Sequence, residues 1–475
     1  MKKLILAIIV IVALVAGIGP KIVAGNVDTQ LNDVVAKLDS SPGYQAEIIE
    51  IQQSWFSTQA KIKLGLDMSA MPNAQDNPIL QEWGELAIIV DFDATHGPVL
   101  IGEQAGLGWA AWSVTYQGDN LRDKLDWTDS TPFYQLQARA NLLGSSYYQD
   151  RVVPFNVSSD SSNATLTFSG FQGEGNYSGG ELTYNGLTES LLVNADDVDA
   201  NMHNLSVDMN MTGDLLQAFE GALYDSAAQV AIEHIEFSNK QLDQQGGMDN
   251  FYLKTQSIVN ADKTLADVKL GYGVGKFNVN DYQGSDAVLD VELNNLSAEL
   301  VQQYQQQMQT INSQDPEQIM AQMNDFIQQH LLAQLKANPE FNITRLSATL
   351  PEGKFNSHAH ISFSGIDALP DDLQDASFWL KHLKVIGKID ADKAIAEMIA
   401  HKVMQSQFKA NPQTAEMDEA QLQSIIQQQT PVMLGNFVQQ GLLVETEQGY
   451  TSDITIENGT AKINSLEVPL DMPAQ

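Results

Sequence analysis

From Tyr44 onward, apolar and polar positions alternate with a period of two. "YQAEIIEIQQ", "AKIKLGLDM", "ELAIIVDFD", "WAAWSVTYQ", "ATLTFSGF", "NLSVDMNMT", "VAIEHIEFS" and "DAVLDVELNN" all carry the pattern. Successive side chains of a strand point to opposite faces, so each segment predicts a strand with one apolar and one polar face. Turn-rich pieces such as "FQGEGNYSGGE" and "QLDQQGGMDN" separate them. Many such strands predict a large antiparallel sheet, one face on a core and the other in water.

Elsewhere the period becomes helical. "VDTQLNDVVAKL" has apolar residues at 27, 31, 34, 35 and 38, and "SSPG" ends it. After Leu296, helical spacing recurs in "LSAELVQQYQQQMQTI", "DPEQIMAQMNDFIQQHLLAQL", "DADKAIAEMIAHKVMQSQF" and "DEAQLQSIIQQQT", each with a Gln-rich outer face. Strands return at "FNITRLSATL", "FNSHAHISFSG" and "HLKVIGKID". In the final "TSDITIENGTAKINSLEVPL", Asn458-Gly459 suits a type I′ hairpin turn. "AVLDVELNNLSAELVQQY" and "HLKVIGKIDADKAIAEMIAHKV" share the order strand, joint, helix, which either duplication or chance produces.

The first residues read differently. Lys2 and Lys3 precede an unbroken apolar run from Leu4 to Ile18. The run is at the short limit for a spanning helix and long for a signal peptide. The length rules favour an uncleaved anchor, although Ala16, Gly17, Ala24 and Gly25 allow cleavage. The positive flank keeps the N-terminus in the cytoplasm and exports the rest. The chain therefore reads as an α+β protein. A large, mostly antiparallel β-sheet carries amphipathic helices in its C-terminal half and follows an N-terminal transmembrane helix. Its expected divisions are an anchor at 1–25, a short helix and linker at 26–43, a β region at 44–296 and a mixed region at 297–475.

Composition narrows the function. Lys plus Arg is 25 against 60 for Asp plus Glu, a formal net charge of −35. The arginines are Arg122, Arg139, Arg151 and Arg345. Such a surface repels nucleic acid and disfavours broad contact with anionic headgroups. With no cysteine, disulfides, thiolate metal sites and cysteine catalysis are excluded.

The candidate chemistry is sparse. "VDFDATHGPVL" holds Asp91, Asp93 and His96, but alternation puts both aspartates on the wet face and no further ligand stands at a recognised spacing. It predicts a strand over Leu86–Asp93 that leaves by a turn at His96-Gly97-Pro98. His358 and His360 share one face of a strand without a third ligand. Asp196, Asp197 and Asp199 lack the glycine and distal glutamate of a calcium loop. "GYGVGKF", Gly271 to Phe277, is not followed by a helix. Sequons such as Asn163-Ala164-Thr165 are expected by chance. No nucleophile elbow, P-loop or dinucleotide fingerprint occurs. No cofactor and no metal are therefore expected.

The chain resembles the YdgA-like family of Gram-negative envelope proteins, a DUF945-type domain of unknown function. The N-terminal anchor and short helix, Phe56-Ser57-Thr58, His96-Gly97-Pro98 and the C-terminal order of strand, helices and hairpin carry the resemblance. Gln53-Ser54 stand where the family commonly has Arg-Gly. The resemblance implies inner-membrane attachment, a periplasmic body and room for a homodimer, but no reaction. Together these readings predict a non-enzymatic envelope protein that serves protein interaction or assembly. The alternative is a lipid-binding or lipid-transfer module that uses an apolar groove of the sheet.

Overall fold

The computed structural model describes residues 27–40, 44–66, 86–102, 104–128, 130–159, 164–213, 224–280, 282–310, 316–370, 372–373, 375–410 and 418–468. Among these, no helix is long and apolar enough to cross a membrane. The expected anchor, residues 1–25, lies outside them. The chain forms two compact units.

The first unit comprises Met1–Asp243, Thr255–Thr264 and Ala298–Ile327. It opens with helix α1 (Val27–Asp39), followed by β1 (Tyr44–Gln53), β2 (Ser57–Leu66) and β3 (Leu86–His96). A short ribbon, β4 (Val99–Leu100) with β5 (Gly106–Leu107), leads to β6 (Ala110–Tyr116), β7 (Tyr134–Ala140) and β8 (Ser146–Val152). Then come β9 (Phe155–Ser159), β10 (Ala164–Phe168), β11 (Phe171–Ser178), β12 (Glu181–Asn194), β13 (Val198–Thr212) and β14 (Asp225–Asn239).

Antiparallel pairs give the order β1-β2-β3-β6-β7-β8-β11-β12-β13-β14. The β9–β10 hairpin pairs with the last residues of β12. Alternation does what the sequence predicts: in β7 and β8 every second side chain is buried. Leu31, Val34 and Val35 of α1 join Ile62, Val90, Phe92, Trp112, Tyr134 and Leu136 in one core. Burying such side chains contributes about 1.5–3 kcal/mol each before the ordering cost.

The second unit comprises Gln244–Lys254, Leu265–Ser297 and Gln328–Gln475. Strand β15 (Gln244–Val259) contributes residues to both units. In chain order there follow β16 (Leu265–Val279), β17 (Tyr282–Ser297), α2 (Ala298–Thr310), α3 (Pro316–Lys336), β18 (Glu340–Leu350), β19 (Gly353–Phe363), α4 (Ala376–His382) and β20 (Leu383–Asp392), of which α2 and α3 as far as Ile327 belong to the first unit. The chain then forms α5 (Lys393–Ala410), α6 (Glu419–Gln439), β21 (Val444–Glu445), β22 (Gly449–Glu457), β23 (Thr460–Ile463) and β24 (Leu466–Val468). The order β16-β17-β18-β19-β20-β22-β23-β24 is antiparallel throughout. A smaller core of Met404, Leu422 and Ile426 joins α5 to α6.

The large antiparallel sheet and the helices after residue 296 match the expectation. So does the last hairpin: Asn458 and Gly459 have φ of 53° and 75°, both positive as a type I′ turn requires. Two details differ. Helix α4 lies outside the segments whose spacing predicts helix; its start is the cap at Asp375, whose side chain accepts from the Ser377 and Phe378 amides. Helix α6 continues past Thr430 through Pro431 to Gln439. There, packing outweighs the missing proline N–H, and Thr430 Oγ1 donates back to the Ile426 carbonyl.

Candidate functional site

The two short segments that carried the family resemblance meet at one end of the first unit. Ser57 of β2 lies opposite Thr95 of β3, and Thr58 opposite Ala94. The His96 amide donates to the Phe56 carbonyl at 2.8 Å. Thr58 is 0% exposed, and its hydroxyl lies 3.1 Å from His96 Nε2. His96 is therefore the last residue of β3, paired with Ala110, and not part of the turn. Only Gly97 and Pro98 turn away; the bond between them is cis.

The next link explains the glycine. The Gly97 amide donates to the Trp109 carbonyl at 2.7 Å. A Cβ on Gly97 would stand 1.7 Å from the Gly108 carbonyl oxygen, so no larger residue fits without moving backbone. Further bonds tie in the β7–β8 turn. Trp109 N donates to the Ala140 carbonyl at 2.9 Å and Trp109 Nε1 to the Leu142 carbonyl at 3.3 Å. Asn141 Oδ1 accepts from the Leu143 and Ser145 amides. Three loops, 53–57, 97–109 and 141–145, are thus clasped together.

What the clasp presents is apolar. Trp55 is 92% and Leu143 93% exposed, and Phe56, Val99, Ile101, Leu107, Trp109 and Leu142 are exposed beside them. The three loops contain a single charged residue, Glu103. We call this group of side chains the crown.

Comparison with known proteins fits these segments to one group. A family model described as a bacterial protein of unknown function, DUF945, matches residues 1–471. The chain belongs to this family. No curated protein matches it, and no solved structure does.

In this DUF945 chain, the aspartates near the clasp face away from it. Asp91 and Asp93 share the solvent face with Lys61 and Gln59 opposite them, and Gln59 Nε2 donates to Asp93 Oδ1 at 2.7 Å. His96 has the other parity, that of Phe92 and Ala94, so the three do not converge. The solvent face continues as cross-strand rows. One row runs Asp91, Thr115, Gln135, Arg151, Gln172. The next runs Asp93, Ser113, Gln137, Gln149, Glu174, Asn185. Over β7, β8, β11 and β12 these rows line an open trough of about 900 Å³.

The other candidates are accounted for locally. His358 and His360 lie on β19 opposite Lys388 and Ile386, with His360 Nδ1 on Asn342 Oδ1. Asp197 Oδ2 accepts from Gln241 at 2.6 Å, and Asp199 pairs with Lys240 at 3.5 Å. In "GYGVGKF", part of β16, Gly273 has Tyr252 against it; a Cβ there would fall 2.2 Å from the ring. Asn163 of the sequon lies outside the described residues. Among the described residues no group of three or more His, Asp or Glu is placed to hold a metal.

Sequence reasoning missed a buried carboxyl. Asp150 of β8 is on the core face and 4% exposed. Its Oδ1 accepts from Tyr184 at 3.0 Å and its Oδ2 from Tyr134 at 3.4 Å. Tyr148 stacks on Tyr184 and donates to the Thr183 carbonyl at 2.7 Å. Burial pushes the Asp150 carboxyl up to about 6, against the opposing pull of the two phenol hydrogen bonds. Burial, then the nearby carboxylate, holds the Tyr134 and Tyr184 hydroxyls above the usual phenol range. The signal was present: in "SYYQDRV", Asp150 falls on the parity of Tyr148 and Val152.

Proposed function

We propose that this DUF945 chain is a non-enzymatic module tethered to the bacterial inner membrane by its N-terminal segment, its body in the periplasm, and that it works by contact with another envelope protein. One observation carries the reading: the two rows of amide, hydroxyl and acid side chains that line the trough. Gln137, Gln149 and Gln172 offer donors and acceptors at strand spacing on a rigid sheet. A hydrophilic partner is recognised by such groups, and their hydrogen bonds fix register and orientation. Among the described residues, the carboxyl most displaced toward neutral pH, Asp150, is engaged by phenols on the core face. The test is a photo-crosslinking amino acid placed in living cells at Gln137 and, separately, at Gln172, with exposed Asp243 as control. Both trough sites should give one adduct of the same mass, lost on Gln149→Arg with the fold retained. Adducts identical at Asp243, or indifferent to Gln149→Arg, sink the reading.

A second reading, a lipid-handling groove, draws on β13 and β14. Val207 opposite Val230 and Leu205 opposite Ile232 form apolar pairs that remain half-buried. Native mass spectrometry separates the two: phospholipid at near one per chain favours the groove, and a lipid-free protein, monomer or dimer, favours the interaction module.

A further inference from the structure

We infer that the crown docks edge-on into a lipid bilayer surface. Four features converge on that partner. The first is the side chains themselves. Trp55, Phe56, Ile101, Leu107, Leu142 and Leu143 project from three separate loops at one end of the sheet. A monomer rarely leaves so large an apolar group in water, and tryptophan beside leucine and isoleucine is the composition of the membrane interface.

The second is charge. The crown loops carry only Glu103, in a chain of net charge −35. The connections at the opposite end differ. The segment 117–133 alone holds Asp119, Arg122, Asp123, Lys124, Asp126 and Asp129. Glu181, on the neighbouring β11–β12 turn, is a further acid at the crown end, so the 117–133 end is repelled by anionic headgroups more strongly than the crown loops, and this orients the body with its crown toward the lipid.

The third is construction. The clasp fixes the loop backbones through the Gly97, Gly108 and Trp109 hydrogen bonds. The apolar side chains are thus held outward on a rigid base, and insertion requires little further ordering.

The fourth is the direction of helix α1. Asp39 Oδ1 accepts from the Ala46 amide, so the chain reverses between α1 and β1. Helix α1 lies back along β1, with Val27, Leu31 and Leu38 buried under the sheet. Its first turn therefore points toward the end of β1 that carries Trp55. The apolar run Leu4–Ile18 precedes that turn in sequence. Which bilayer the crown meets rests on the tether proposed above. Its insertion does not.

The absence of cysteine makes the test direct. Trp55→Cys, Ile101→Cys and Leu143→Cys are made singly in the full chain, labelled with an environment-sensitive fluorophore and reconstituted into phosphatidylcholine vesicles containing a shallow lipid-borne quencher. Exposed Asp123→Cys is the control. The crown labels should shift to the blue and be quenched, and the Asp123 label should do neither. Adding Leu107→Ser and Leu142→Ser should abolish the quenching at Leu143→Cys while circular dichroism stays unchanged. Crown labels blind to the lipid quencher overturn the inference. So does a blue shift that depends on protein concentration and not on lipid, which would assign the crown to a second copy. Flotation with the vesicles reports the tether independently. A chain that floats with unquenched crown labels keeps the tether and loses the docking. One that is quenched yet washes off keeps the docking and loses the tether.

Discussion

Asp150 occupies a place that the alternation of β8 assigns to the core, and its titration is the clearest consequence of a single residue here. In the fold its carboxyl titrates near 6, against about 3.9 when unfolded. The folded chain therefore binds the proton more tightly. The stability this contributes is fully present below about pH 4 and is lost as pH rises through 6. Asp150→Asn removes that loss. The variant should exceed the parent by at most about 3 kcal/mol above pH 6, a gap that closes toward pH 4. Denaturant titrations at pH 4, 5, 6 and 7.5 check it, and a gap independent of pH would contradict it. His96 gives a second prediction. With Thr58 fully buried, His96→Ala should lower stability by about 1–2 kcal/mol, the usual cost of removing one partner of a buried hydrogen bond. Stoichiometric metal in the parent, lost from the variant, would speak for a ligand role instead. The alternation of "VDFDATH" correctly separates the aspartates from the core. It also extends three residues past Asp93, to the first residue of the expected turn, because the Phe56 carbonyl and the Ala110 pairing hold His96 in the strand. The contact of His96 with Thr58 joins residues 38 apart in the chain, and periodicity carries no information about such a pair.

At the scale of elements, the sequence echo has a structural counterpart. Strand β17 runs into α2 with no residue between, and β20 runs into α5 in the same way. In each case a second helix follows, and the chain returns to a strand antiparallel to the first, β18 on β17 and β22 on β20. Another hairpin strand then follows, β19 or β23. The two orders match except that the second carries the two-residue strand β21 between its second helix and β22, and they favour duplication over chance more than the sequence alone does. Where the sequence reading stopped short, at Thr430, propensity misled: proline usually ends a helix because it lacks a donor and crowds the preceding turn. The α5 contact through Met404, Leu422 and Ile426 holds α6 regardless. Pro431→Ala restores a donor for the Gln427 carbonyl. It should therefore stabilise the protein by about 1–3 kcal/mol, read as a higher thermal midpoint. A fall would mean that the ring itself packs usefully.

At the scale of the molecule, the polarity of the first unit emerges only from topology. "SWF", "HGPVLIGEQAGLGW" and "NLLGS" read singly as turns, and the net charge gives no hint of where charge is missing. In an up-and-down sheet every second connection returns to the same end. The β1–β2, β3–β6 and β7–β8 connections therefore gather at the crown, and the charged β6–β7 connection falls opposite. The trough is equally hidden: its rows depend on register across six strands, which no local pattern specifies.

The strand–helix–helix–strand order also bears on how such a protein changes length. A block that begins and ends on adjacent antiparallel strands can be copied or lost whole, and the strands on either side still meet a neighbour running the right way. Single-strand insertions reverse every later strand. The sheet of this chain is therefore free to grow in pairs of strands, about 10 Å of width at a time. Its helical hairpins would be the tally marks of that growth.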